Sequence, residues 1–118
     1  MDVEKLIRLR STIAALLQSP GEPLAAESLA VQVGELRRQV YLALAGGAGD
    51  EQLEFDAVIS REPKRPSGLT SLATYSAWHG ACVQVLGSML GWIDGQIGVE
   101  QLKASVRAQA AKQSPGFR

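Results

Sequence analysis

The chain has 118 residues, 46% hydrophobic and 20% charged, which suits one globular domain with its own core and excludes a wholly disordered, collagen-like or low-complexity protein. Twelve Lys and Arg balance twelve Asp and Glu, so no strong global field draws the chain to nucleic acid or to an acidic membrane. The single histidine, His79, and single cysteine, Cys82, exclude an intramolecular disulfide, a two-cysteine redox pair and a zinc site built from Cys and His within one chain.

From Val3 to Gln18, Leu6, Leu9, Ile13, Leu16 and Leu17 recur at helical spacing among charged residues, which predicts an amphipathic helix and not a secretory signal. Ser19-Pro20-Gly21-Glu22-Pro23 breaks it, and Pro23 suits the first turn of a second helix. Leu29, Val33, Leu36, Val40 and Leu44 draw one apolar stripe along that helix, which should stop at Gly46-Gly47. Two long helices with a short connection pack antiparallel, so an αα-hairpin is expected.

Residues 50–61 read two ways. Asp50 suits a helix cap, with Glu51 and Glu54 in the favoured first turn, yet Leu53, Phe55 and Ala57 alternate with Glu54, Asp56 and Val58 as in a half-buried strand. A short helix is preferred, because a lone strand has nothing to pair with. Residues 62–68 then form a polar loop held extended by Pro63 and Pro66.

A third long helix is expected from Leu69 or Thr70 to about Ile93 or beyond. The stretch Pro66 to Ile93 contains no Asp, Glu, Lys or Arg, but polar residues and glycines dilute it, so a helix buried in protein is expected in preference to a membrane span. Leu72, Tyr75, His79, Val83, Leu86, Leu90 and Ile93 make one apolar stripe, and Trp78, Val85 and Trp92 add a second at intervals of seven. A last helix from Val99 to about Lys112 should turn Val99, Leu102, Val106 and Ala110 inward, before a frayed tail at 114–118. The whole reads as a compact all-α, single-domain bundle of four main helices over residues 1–113, with the third, glycine-containing helix at its centre.

Three features could carry function. Gly80, Gly87, Gly91 and Gly95 give the third helix a small-residue side, which asks for close approach of another helix in the same chain or across a dimer, or for room for a flat ligand, unless the helix breaks near Gly95 or Gly98 and these glycines are terminators. An interface on that helix would use Trp78, Leu86, Gly87, Leu90, Gly91 and Trp92. His79 and Cys82, three apart, share a helix face with room for a small-molecule pocket beside Tyr75 and Trp78. Residues 1–62 hold ten acids and six bases, and residues 63–118 two acids and six bases, so the halves carry −4 and +4. Lys64, Arg65, Lys103 and Arg107 are the bases that would contact phosphates.

Enzyme signatures are missing: no strand precedes Gly46-Gly47-Ala48-Gly49, and no nucleophile elbow, paired helical His or calcium loop occurs. No catalytic residue, metal or cofactor is assigned. The expectation is a non-enzymatic helical interaction module, a small subunit or adaptor that docks a protein partner and self-associates as a homodimer. Its expected place, from the unpaired cysteine, is a reducing cytoplasm. The alternatives are a small subunit binding nucleic-acid backbone and a bundle with a small-molecule pocket.

Overall fold

The structure, a computed structural model, describes residues 1–59, 63–68 and 71–113. Among them all regular structure is helical: α1 (Val3–Gln18), a 3-10 turn (Pro23–Ala25), α2 (Ala26–Ala43), α3 (Glu51–Val58) and α4 (Leu72–Gln113). Asp2 caps α1, its carboxylate accepting from the Lys5 N–H at 3.0 Å. Leu6, Leu9 and Ile13 make the buried side of that helix. Pro23 opens the 3-10 turn that leads into α2, whose Leu29, Val33, Leu36 and Val40 are buried as one stripe. Past the end of α2, Gly46 takes a φ of 76°, the left-handed conformation that closes a helix without steric cost. The Asp2 N–H donates to the Ala43 carbonyl at 2.8 Å, which ties the start of α1 to the end of α2, so the two run antiparallel.

Residues 51–58 are helical, although Asp50 makes no side-chain cap bond. The carboxylate that works there is that of Glu51, which is buried and accepts from the Gly49 N–H at 3.1 and 3.2 Å. Phe55 and Ile59 are buried one and two turns beyond Glu51. Leu53, on the opposite side, and Val58, at the end of the helix, are exposed.

The expected third and last helices are one. α4 runs 42 residues without interruption, and its glycines do not end it: the only glycines with positive φ among the described residues are Gly21, Gly46 and Gly68. Ser71 opens α4, its hydroxyl accepting from the Thr74 N–H at 3.3 Å. Up to Ile97 the helix is held by burial of Trp78, Cys82, Leu86, Met89, Ile93 and Ile97, which offsets the roughly 1 kcal/mol that each interior glycine costs. Beyond Gly98 the residues are mostly Ala, Gln, Lys, Arg and Leu, strong helix formers that continue without tertiary support.

The core lies where α4 packs across both α1 and α2, with the 3-10 turn and α3 on its flanks. Arg10 on α1 pairs with Asp94 on α4 at 3.2 Å. The expected compact shape is not found: the chain measures 75 × 25 × 16 Å, with a radius of gyration of 18.4 Å. A compact chain of this length would have about 13.5 Å. The cause is the end of α4, where residues 101–112 are all exposed. Val99, Leu102 and Val106, expected to point inward, are 46%, 65% and 57% exposed, because no fourth helix lies against them among the described residues. The last two residues of the 50–61 segment, a helix start at Leu69 or Thr70, and the tail 114–118 lie outside the described residues.

Candidate functional site

Up to Ile97, α4 buries one side, while the other stays open over the helix's whole length. Trp78 and Leu86 sit inside the chain's own core, while Leu90 and Trp92 are partly covered by it. Trp92 meets Phe55 of α3 edge to face, with ring centroids 5.2 Å apart. Gly87 and Gly91 are on the open side. A Cβ placed on Gly80, Gly87, Gly91, Gly95 or Gly98 would meet no heavy atom of another element within 4 Å among the described residues. Among the described residues no second helix of the chain approaches these glycines closely, so that reason for them is not met there.

His79 and Cys82 have structural partners of their own. The His79 Nε2–H donates to the Pro20 carbonyl at 3.1 Å, fastening the α1–α2 connection to α4. Cys82 has no accessible surface, and burial pushes its thiol pKa up. A neutral, enclosed thiol is a poor nucleophile. Native protein should therefore resist a thiol-reactive dye at pH 7 to 8 and react stoichiometrically only once unfolded; rapid labelling of the folded chain would contradict this burial. Tyr75 is half-buried beside them. Trp78 borders a cleft of about 420 Å³ shared with Glu27, Gly34, Pro63 and Arg65, and its buried Nε1–H has no partner among the described residues.

The four bases proposed for phosphates do not gather. Lys64 and Arg65 precede α4, and Arg65 pairs with Glu27 at 3.5 Å. Lys103 and Arg107 lie toward the other end of α4, roughly 46 and 52 Å along the helix axis from its start. Lys103 is already paired with Glu100 at 3.3 Å. Among the described residues no three His, Cys, Asp or Glu come together as a metal-binding group, and no helix is long and apolar enough to cross a membrane.

Two arrangements were not anticipated from the sequence. Arg37 of α2 reaches α3, its Nε donating to the Ile59 carbonyl and its guanidinium to Asp56, both at 2.6 Å, with the cation 5.8 Å from the Phe55 ring centroid. A shallow apolar cleft of about 670 Å³ runs between α1 and α2, lined by Ala15, Leu16, Val31 and Leu36 with Glu35 at its edge. Neither has a signal in spacing alone, since both depend on how separate helices lie together.

Compared with protein-family models, curated proteins and solved structures, the chain matches none.

Proposed function

We propose that the chain is a non-enzymatic helical interaction module, a small subunit or adaptor that docks a protein partner on the open side of α4 and self-associates there. In this reading the N-terminal αα-hairpin and α3 form a bundle that holds the glycine-containing helix rigid and presents it. One observation carries the reading: Val99, Leu102 and Val106 stand exposed on a helix that extends past every element able to cover it among the described residues. Three large aliphatic side chains in succession on an unpartnered helix are costly in water and mark a contact surface.

Leu102→Glu with Val106→Glu tests it. The two side chains touch little in the chain, so the melting temperature of the dilute protein should move by no more than a degree or two. Association should be lost: the variant should elute as a monomer in light-scattering chromatography and fail to rebuild, from purified components, any complex the wild type forms. A variant that retains every association of the wild type would overturn the reading.

A further inference from the structure

We infer that the partner on this surface is a second copy of the chain, its α4 antiparallel to the first, on a two-fold axis passing beside Gly91. This rests on the reading of α4 as a docking helix and names the occupant. The open side of α4 is built as two unlike halves. At 3.6 residues per turn, the five glycines, Ala73 and Ala77 before them and Leu102 and Val106 after them all fall within about 60° of one line down the helix. All of these residues are exposed. The first half of the line is therefore a shallow trough interrupted only by Gln84, which an antiparallel copy sets over the partner's Gly98, and the last part carries Leu102 and Val106 with Gln109 at its end.

An antiparallel copy fits one half to the other. Gly91 lies within two residues of the midpoint of α4, so a two-fold axis there overlaps the two helices along almost their full length. Leu102 then falls over the partner's Gly80, and Val106 into the hollow between the partner's Ala73 and Ala77. Gly87 lies beside the partner's Gly95, where the missing side chains let the backbones approach closely. A parallel pair has the opposite result: Leu102 meets Leu102, Val106 meets Val106, and the trough is left as a void. An unrelated partner would require no match between the two halves of one helix.

Charge and area agree. The charged residues nearest the line stand at its margin: Asp94 turns aside to Arg10 and Lys112 falls past the end of the seam, while Glu100 and Lys103, farther round the helix, pair with each other. The seam from Ala73 to Gln109 is roughly 54 Å long and about 12 Å wide, so the pair would bury on the order of 1,300 Å² in total, within the range of stable interfaces.

The experiment uses the full chain carrying single added cysteines at exposed ends of the seam, Ala73→Cys and Gln109→Cys, with buried Cys82 left in place. Mixed under mild oxidation, the two variants should cross-link to each other, and neither should cross-link efficiently to itself. Preferential self-cross-linking of Ala73→Cys would establish a parallel seam and overturn the proposal while leaving α4 a docking helix. A wild type that stays monomeric at hundreds of micromolar would overturn it too, leaving a foreign partner for the docking reading. Gly91→Leu separates seam from fold. A Cβ at this position has open space around it among the described residues, and leucine favours the helix, so the dilute protein should melt no lower than wild type, whereas dimerisation should weaken at least tenfold and stay insensitive to salt. Dimerisation undiminished by Gly91→Leu would place the contact elsewhere.

Discussion

Leu86→Ala should destabilise the protein by about 3 kcal/mol, a large share of the stability expected for a domain of this size. Leu86 has no accessible surface and sits on α4 in the cluster it forms with α1 and α2. Truncation removes three heavy atoms from a place where three helices converge, and none of them can close the gap without giving up other contacts. The cost is the lost transfer free energy plus that of the cavity. For a chain of this length the melting temperature should fall by roughly 10–15 °C. Thermal melts followed by circular dichroism would check it. A drop of only a degree or two would mean that α4 does not run through the core at Leu86. Leu102→Ala, on the exposed part of the same helix, should leave the melting temperature of the dilute chain nearly unchanged. The contrast separates the helix into a part that stabilises the fold and a part that does not.

That division was only half legible in the sequence. α1 and α2 could be read because each has an apolar stripe of period 3.6 and a breaker at its end, and those two signals are local. α3 was harder: Leu53, Phe55 and Ala57 alternate like a strand, but Leu53 and Ala57 are exposed. The spacing that mattered was four, from Glu51 to Phe55 to Ile59, one face of a short helix. In α4, Gly95 and Gly98 suggested a stop because glycine so often terminates helices. The seven-residue recurrence of Trp78, Val85 and Trp92 continues through them to Val99 and Val106, and an unbroken phase belongs to an unbroken helix. The candidate site divides in the same way. Periodicity identified apolar residues on α4, but not whether their cover would come from the same chain. Trp78 and Leu86 turned out to be covered from within, and Val99, Leu102 and Val106 did not.

Phe55→Ala should cost about 3–4 kcal/mol and should act on one element more than on the rest. α3 has eight residues, too few for a helix to persist alone in water, so it depends on the residues that fasten it. Phe55 is the largest of them: it is fully buried, meets the edge of Trp92 on α4 and lies under the Arg37 guanidinium. Without the ring, Trp92 loses its aromatic neighbour and Arg37 its cation–π contact, leaving the bonds from Arg37 to Asp56 and Ile59 and from Gln52 to the Tyr41 carbonyl to hold α3 on α2. Hydrogen exchange should then rise first and most over residues 50–59, with red-shifted Trp92 emission, while the amides of α1 and α2 stay protected. Because Arg37 and Phe55 act on the same helix, combining Arg37→Ala with Phe55→Ala should cost less than the two single losses together, by about 1 kcal/mol. Strict additivity would show that the two fasten α3 independently. Uniform loss of protection throughout the chain would show that α3 is part of the cooperative core and not a unit clipped to its flank.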